Sequence, residues 1–506
     1  MTINNIKINK YQIPQDVLDI SKALSDKNFD SYLVGGCVRD LMISREPKDW
    51  DITTNAIPEE IIEIFGIENT IYENEFGTVG VKIRNKIEKE EESTEEVKIV
   101  EVTTYRKESE YEDFRRPNKI EWGTKIEEDL ERRDFTINAM AFDPIKDIFV
   151  DIYNGQEDID NKLIKCVGDA EKRFNEDALR MLRAIRFSAQ LNFTISHETS
   201  SAIAKLSINL EKISKERIRD EFSKIIMSSE PMIALVISQK LGLLKFIIPE
   251  LENGIGIEQN SAHSFDVYEH NLRSLAHAAN KNFPFHVRVS ALLHDIAKPE
   301  TRRWSKDQNN WTFYGHEVVG ERVSKKILER LKFDKVFIDL VSKLIRWHMF
   351  FSDTEKVTLS AVRRLIVNIG KENIWDLMDI RLCDRIGTGR PVEDPYRFRA
   401  FKAMLDEALR DPISLKSLKI DGKRIMEILK ENPGRKIGLI LNALFEEVID
   451  DLNKNTKEYL ENRVLELNKL SELELKELSD AGKEKMEAKN EEEIGEIKKK
   501  FKINTK

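Results

Sequence analysis

The run SYLV (31–34) leads into GGCVRD (35–40), and KDWDITT (48–54) follows shortly after. On a strand, residues two apart project from one face, so the spacing predicts Asp49 and Asp51 as neighbouring carboxylates. Two oxygen donors on one face can hold a hard divalent cation. Gly35 and Gly36 allow the backbone to approach an anionic ligand closely, and Arg39 supplies a fixed cation. Together these residues describe a nucleoside-triphosphate site. No GxxxxGK[ST] string is present, so the metals are expected on carboxylates, as in two-metal phosphoryl-group transfer. Glu101, in IVEVTT (99–104), is a candidate third carboxylate.

Around this core, GTVGVKI (77–83) and VKIVEVTT (97–104) read as further strands, which makes residues 1–150 a compact α/β domain. The charge-dense NKIEKEEESTEE (85–96) between them is expected as a solvated hairpin tip. From about Ala170 the apolar pattern changes to a period of 3.6, beginning with EDALRMLRAIRFSA (176–189), and stays mainly helical. Further domains are expected over 151–260, 261–400 and 401–466, with a charged, solvent-exposed helical tail over 467–506 that has few apolar anchors. No repeat of solenoid period is present.

Composition narrows the class. With 506 residues, 40% hydrophobic and 34% charged, and only 21 Gly and 13 Pro, the chain is a helix-rich globular protein and neither collagen-like nor wholly disordered. The N-terminal MTINNIKINKY has no apolar core of a signal peptide, and no stretch approaches the roughly eighteen apolar residues of a membrane span. The three cysteines, Cys37, Cys166 and Cys383, form no CxxC pair, and a reducing cytoplasm is expected. The net charge of −9 does not exclude nucleic acid, because phosphates respond to local basic surface.

GGCVRD, KDWDITT and RRDFTINA (132–139) together resemble successive motifs of the class II nucleotidyltransferases, the bacterial CCA-adding enzymes and poly(A) polymerases. NEDALRMLRAIRF (175–187) resembles that family's base-reading motif and SKERIRDEF (214–222) the motif after it. The resemblance implies a polymerase β-like nucleotidyltransferase head with a mixed sheet, then a helical neck. It implies Mg²⁺ on Asp49 and Asp51, the triphosphate at Gly35, Gly36 and Arg39, and the ribose at Arg133 and Asp134 with Asn138 nearby. Arg132 is the member of that motif with a structural reading, a buried ion pair. Within the neck motif, Glu176, Asp177, Arg180, Arg183 and Arg186 are implied as nucleotide-binding.

On one helix, Asp177 and Arg180 would share a face, with Glu176 adjacent. Cytosine and adenine each present an amine beside a ring acceptor, so a carboxylate can take the amine while a guanidinium donates to the ring nitrogen. Uracil and guanine present the reverse order and leave buried polar groups unpaired. The segment TYRKESEYEDFRRPNK (104–119), with Arg106, Arg115 and Arg116, is expected as the loop on which the family's switch from C to A depends.

Seven of the eight histidines fall between residues 263 and 348. EHN (269–271), LLHDIAK (292–298), GHE (315–317), RWH (346–348) and LCDRI (382–386) resemble the metal-binding series of the HD phosphohydrolases. The match implies one metal site of His270, His294, Asp295 and Asp384, with His316 and His348 for a second metal or a phosphate, and Lys298 for the ester's phosphate. Imidazole with carboxylate suits Mn²⁺, Ni²⁺, Fe²⁺ or Zn²⁺, with Mg²⁺ also open. His263, His277 and His286 are read as structural. LKIDGKRIM (418–426) and NPGRKIGLIL (432–441) resemble the tRNA-holding body of bacterial CCA-adding enzymes, although Arg424 stands where an acidic residue is usual.

The function so implied is addition of C, C and A to tRNA 3′ ends from CTP and ATP by a cytoplasmic monomer or homodimer with no membrane association, with a second, phosphohydrolase activity. Poly(A) polymerase and CC-only or A-only addition share the head and neck motifs. A phosphohydrolase acting on RNA ends or nucleotides, with the head as a binding module, is the alternative of another class.

Overall fold

The computed structural model describes residue 8 and residues 10–72, 77–89, 92–107, 111–112, 116–117, 121–260, 263–350, 357–410 and 415–478. The chain divides into two compact units, Met1–Pro249 and Glu250–Lys506.

The first unit opens with α1 (Gln15–Asp26), which buries Val17, Ile20, Ser21 and Leu24, the i, i+3, i+4, i+7 stripe of an amphipathic helix. There follow β1 (Tyr32–Val34), α2 (Gly36–Met42), β2 (Asp51–Thr54), α3 (Pro58–Phe65), β3 (Thr70–Ile71), β4 (Thr78–Lys89) and β5 (Glu92–Thr104). Two small ribbons pair β6 (Arg106–Lys107) with β9 (Glu121–Trp122) and β7 (Tyr111–Glu112) with β8 (Arg116–Pro117). After α4 (Ile126–Glu131), the strands β10 (Met140–Asp143) and β11 (Ile148–Asp151) complete a seven-stranded sheet in the order β11-β10-β1-β2-β5-β4-β3. Only β2 and β5 run parallel, so the sheet is mixed, as expected.

The charged segment 85–96 falls at the distal end of the β4–β5 hairpin, where the expectation placed it. The β4–β5 ladder runs through it to Lys89 opposite Glu92, and also sets Lys86 opposite Glu95. Only residues 90–91 of this segment lie outside the described backbone.

The neck consists of α5 (Gly155–Asp160), β12 (Leu163–Ile164), α6 (Ala170–Glu176), α7 (Leu179–Leu191), β13 (Thr194–Ile195), α8 (His197–Leu206), α9 (Lys215–Ile226) and α10 (Pro231–Lys240). Helix α7 is buried along most of its length, including Arg186. That guanidinium is 3.2 Å from Glu221 of α9, with the two side chains 9% and 4% exposed, and lies 4.4 Å from the Phe187 ring centroid. Phe187 in turn meets Phe135 of the RRDFT segment edge-on at 5.8 Å.

The single turn α11 (Pro249–Glu252) spans the junction. The second unit holds α12 (Val267–Asn280), α13 (Phe285–Leu293), α14 (Lys298–Thr301), the ribbon β14 (Arg303–Ser305) with β15 (Asn310–Thr312), α15 (His316–Arg330), α16 (Lys335–Trp347), α17 (Leu359–Ile369), α18 (Ile374–Gly387) and α19 (Tyr396–Arg410). At Gly387 a Cβ would lie 2.2 Å from Ser274 Oγ and 2.9 Å from the His270 carbonyl oxygen, so glycine permits the close approach of α18 to α12. That approach brings Asp384 to His270.

The last helices, α20 (Gly422–Leu429), α21 (Arg435–Asp450) and α22 (Lys457–Leu467), share a core that includes Ile425, Leu444, Leu460 and Val464. Arg364 of α17 donates to Glu446 at 2.9 Å and Asp450 at 2.7 Å on α21. The expected tail starts too early: residues 472–478 are helical and Leu475 is fully buried in this core. One leucine reaching a groove was enough to overrule the polar composition around it. Residues 479–506 lie outside the described residues.

Removing the carboxylate of Glu221 would leave Arg186 as a buried uncompensated charge. Glu221→Ala is expected to cost about 3–5 kcal/mol in chemical denaturation, whereas a surface pair would cost under about 1 kcal/mol.

Candidate active site and metal centre

Strand β2 begins at Asp51, so strand alternation does not extend to Asp49, which is exposed in the bend just before it. The partner that register gives Asp51 is Glu101, directly opposite it on the parallel strand β5. Burial pushes the Asp51 carboxyl up to about 6; Arg133 opposes this, and Glu101 and Asp49 add to it. A buried carboxylate whose proton affinity two neighbouring carboxylates raise marks a site whose repulsion a hard divalent cation would relieve. The donor set therefore fits Mg²⁺.

Gly35 has φ +75°, a conformation open to glycine, and a Cβ there would lie 2.8 Å from Arg133 Nη1 and 3.9 Å from Asp51 Oδ2. The bare glycine thus lets the Arg133 guanidinium lie between the turn and the carboxylates. Arg133 is held from behind by Asp129, fully buried on α4, whose Oδ2 accepts from Nη2 at 3.0 Å and Nε at 3.3 Å. The other oxygen of Asp129 accepts from Arg132 Nε at 3.0 Å, which gives Arg132 its structural role. Asp129 escaped the sequence reading, although DLERR (129–133) carries the i, i+3 and i, i+4 spacing that would have found it.

Arg39 is not a free cation. Its Nε and Nη2 donate to Asp40 at 2.9 and 2.8 Å, and Nη1 donates to Asn138 at 2.7 Å, all buried. Asn138 donates on to Asp134 at 3.2 Å, whose other oxygen accepts from Arg183 Nε at 2.6 Å. Burial would raise the Asp134 pKa, but Arg183 and Arg180 beside it and these hydrogen bonds hold it down to about 2. Arg39 of the implied triphosphate site and Asn138 and Asp134 of the implied ribose site are thereby joined in one network. Gly36 lies beside it: a Cβ there would be 3.5 Å from Arg39 Nη2.

The neck motif departs from the expected single helix. α6 ends at Glu176, and Asp177 is extended (φ −146°), accepting from the Leu179 N–H at 3.0 Å and pairing with Arg217 Nη2 at 2.7 Å. Arg180, in α7, donates to Glu176 at 2.6 Å and to the carbonyl of Arg132 at 3.0 Å. Asp177 and Arg180 flank a break between two helices and each has its own partner. The physical reason is that an aspartate caps backbone N–H groups as readily as it continues a helix. Of the expected loop, Arg106 donates to Thr78 Oγ1 at 3.1 Å; Arg115 and the side chain of Arg116 lie outside the described residues.

In the second unit, His270 (α12), His294 and Asp295 (after α13) and Asp384 (α18) converge. The two Nε2 atoms are 2.9 Å apart, and Asp295 Oδ2 is 3.0 and 3.3 Å from them. Asp384 Oδ1 is 3.5 and 3.6 Å from the same nitrogens. His294 is anchored through Nδ1 on the carbonyl of Ala291, three residues back. His316 and His348 repeat that anchor on Phe313 and Ile345, and their Nε2 atoms sit 3.3 Å apart and 3.1 and 3.7 Å from the other oxygen of Asp295. All seven contributing ligand atoms are thus shared between two clusters bridged by Asp295. Burial lowers His294, yet Asp295 and Asp384 hold it up to about 10. A buried site that retains a proton so firmly favours a cation, and imidazole with carboxylate is the donor set of the divalent transition metals. Burial pushes His348 down to about 4, the neutral form a ligand needs.

Lys298 is not free for a phosphate: its Nζ is 2.5 Å from Asp295 Oδ2 and donates to Gln259 at 2.6 Å. His286 pairs with Asp376 at 2.8 Å, His277 lies 3.9 Å from Glu393, and His263 Nδ1 is 2.8 Å from Asn260 Oδ1. Arg424 is taken up by Glu461 and Glu427, and Asp421 caps its helix.

Three family descriptions match the chain: "Poly A polymerase head domain" over residues 31–165, "Probable RNA and SrmB- binding site of polymerase A" over 192–255, and "HD domain" over 261–387. The chain is 30% identical over 457 residues to the CCA-adding enzyme of Ligilactobacillus salivarius, spanning 88% of this chain and 97% of that protein. The chain belongs to the CCA-adding enzyme family. It is 45% identical to the CCA-adding enzyme of Lactobacillus helveticus over 210 residues, a match that spans about half, 49%, of that relative. Among solved structures, the Bacillus stearothermophilus CCA-adding enzyme in complex with CTP matches with a TM-score of 0.67 at 26% identity, over 90% of this chain and 97% of that one. The Thermotoga maritima CCA-adding enzyme complexed with tRNA shares the fold, with a TM-score of 0.53 at 18% identity, over 90% of this chain and 97% of that one. No helix among the described residues is long and apolar enough to cross a membrane.

A side chain at position 35 would meet both a left-handed backbone and Arg133. Gly35→Ala is expected to lose about 1–3 kcal/mol in denaturant titration; an unchanged midpoint would show that Arg133 is free to move aside.

Proposed function

We propose that the chain adds C, C and A to tRNA 3′ ends from CTP and ATP. The observation that carries this reading is the convergence of Asp51, Glu101, Gly35 and Arg133 at the end of the parallel pair β2–β5. Asp49 and Asp51, with Glu101, would hold Mg²⁺. When bound, Mg²⁺ would acidify the tRNA's 3′-hydroxyl and neutralise the pyrophosphate that leaves the α-phosphorus. Arg133, braced by Asp129, sets a guanidinium beside the carboxylates, where it would meet phosphate or ribose. Asp177 would accept from the exocyclic amine of cytosine or adenine while Arg180 donates to the ring nitrogen, each base taking the place of Arg217 and Glu176.

With Mg²⁺ and a tRNA transcript that ends at the discriminator base, two C residues are expected from CTP and one further A when ATP is supplied. A long A ladder would select poly(A) polymerase instead. Asp51→Ala is expected to lower addition by at least the roughly 10²–10³-fold that loss of a single electrostatic stabiliser costs.

The HD centre supports a second reading beside the first. His270, His294, Asp295 and Asp384, with His316 and His348, would hold one or two divalent metals, which would activate water toward a phosphoester. Metal analysis after dialysis is expected to find bound Mn²⁺, Ni²⁺, Fe²⁺ or Zn²⁺ in the wild type and a loss of at least tenfold in affinity in His294→Ala, with nucleotide addition retained. Addition lost with the metal would mean the two sites are not independent.

A further inference from the structure

Phe187 stands among three of the arginines implied in nucleotide binding. It follows Arg183 by four residues on α7, so the two share a face, and the Arg183 guanidinium lies 5.4 Å from its ring centroid. Arg186, beside it in sequence, lies at 4.4 Å, and Arg39 comes from α2 to 5.2 Å. Three guanidinium groups thus fall within the roughly 6 Å over which an aromatic face attracts a cation. The ring is only 6% exposed, and that attraction is stronger where water is scarce.

Carboxylates alone do not account for the cluster. Each guanidinium has one carboxylate: Asp40 for Arg39, Asp134 for Arg183 and Glu221 for Arg186. These pairs hold each arginine by an edge and leave its other N–H groups to be met elsewhere. Arg39 gives one to Asn138. Arg186 Nε is buried without a hydrogen-bond partner, and the ring offers it an electron-rich face instead of an oxygen. Arg183 differs from both. Its Nε is taken by Asp134, while Nη1 and Nη2 have no partner among the described residues. Its side chain is 34% exposed, against 9% for Arg39 and 9% for Arg186. Two terminal nitrogens on a guanidinium whose third nitrogen is fixed form the fork that takes a phosphate by paired hydrogen bonds. An aliphatic side chain of similar size would fill the space beside Phe135 but would offer no negative face to three like charges.

We infer that Phe187 is a positioning residue for nucleotide addition: its ring gathers the guanidinium groups of Arg39, Arg183 and Arg186 and holds Arg183 so that its two terminal nitrogens meet the phosphates of the incoming CTP or ATP. The inference deepens the nucleotide-addition reading and rests on it. Phe187 acts through Arg183 and not on the nucleotide itself.

Fluorine separates the face of the ring from its bulk, because each substitution weakens the negative face and keeps an apolar ring of nearly the same size. The full chain is prepared with 4-fluoro-, 3,5-difluoro- or 3,4,5-trifluorophenylalanine at position 187, and addition to a tRNA transcript is measured. KM for CTP is expected to rise with each fluorine and to reach about 5- to 30-fold, the size of one desolvated cation–π contact. The denaturation midpoint, KM for tRNA and kcat are expected to change little, since a contact made equally in ground and transition states shows in KM alone. A CTP KM that does not follow the fluorine count would overturn the inference, and a midpoint that falls along the series at constant KM would make the ring a structural clamp only. Arg183→Lys, which keeps the charge and loses the fork, tests the underlying reading. If it raises KM for CTP while the fluorine series stays flat, the nucleotide contact stands and the role of Phe187 fails. If it leaves KM for CTP unchanged, the assignment of Arg183 to the nucleotide fails and the inference fails with it.

Discussion

The first unit depends on one buried carboxylate. Asp134 accepts from Arg183 on the neck helix α7 and from Asn138, which in turn accepts from Arg39 on α2 behind the glycine turn. Three separate sequence motifs are thereby connected through a single side chain that is only 8% exposed. Burial works against that charge, and only the cations and donors around it hold its pKa down to about 2. Because the folded value lies below the unfolded value of about 4, the network's stabilisation is complete above about pH 4 and is lost as pH falls toward 2. At neutral pH the head and neck are therefore locked by electrostatics as well as by the Phe135–Phe187 contact.

This network also explains which parts of the site were legible in the sequence. GGCVRD, KDWDITT and RRDFTINA, read as one family's motifs in order, led to the mixed-sheet head and helical neck that the structure has. What they could not convey was the partner of each polar side chain. Arg39, Arg183 and Arg186 appeared as cations available to a nucleotide, but Asp40, Asp134 and Glu221 engage them. Two of these partners, Asp134 and Glu221, are distant in sequence from the arginines they bind, and a motif cannot show a contact made by tertiary packing. Asp177 illustrates a local failure instead: helical spacing gave the right neighbours, but the residue's capacity to cap broke the helix at that point. The tail was misjudged for a third reason, because composition averages over many residues whereas one buried Leu475 decides where the core ends.

The histidine series was legible for a different reason. Its members lie on separate helices but carry their chemistry in the side chain itself, so an ordered set implies convergence before any packing is known. The structure adds the device that aims them: His294, His316 and His348 each hold Nδ1 on the carbonyl three residues back, which leaves Nε2 facing Asp295. For His294 and His348 a helix end supplies that carbonyl, since the last turn leaves its carbonyls unpartnered, whereas Phe313 offers His316 a carbonyl from the turn just before α15. Three rings are thereby fixed in one tautomer by backbone alone.

The two candidate centres place opposite demands on a cation. In the head, Asp49 is exposed and Asp51 and Glu101 supply only oxygen, which suits a hard ion that keeps much of its water and enters with a nucleotide. In the second unit the donors are buried, and nitrogen outnumbers carboxylate, four imidazoles to two carboxylates. Desolvating an ion there costs far more and is offset only by strong coordinate bonds, which imidazole provides to a transition metal better than to Mg²⁺. On the proposed function, a chain that carries both would keep one metal resident while exchanging the other with each nucleotide, because the ligand chemistry would sort the ions.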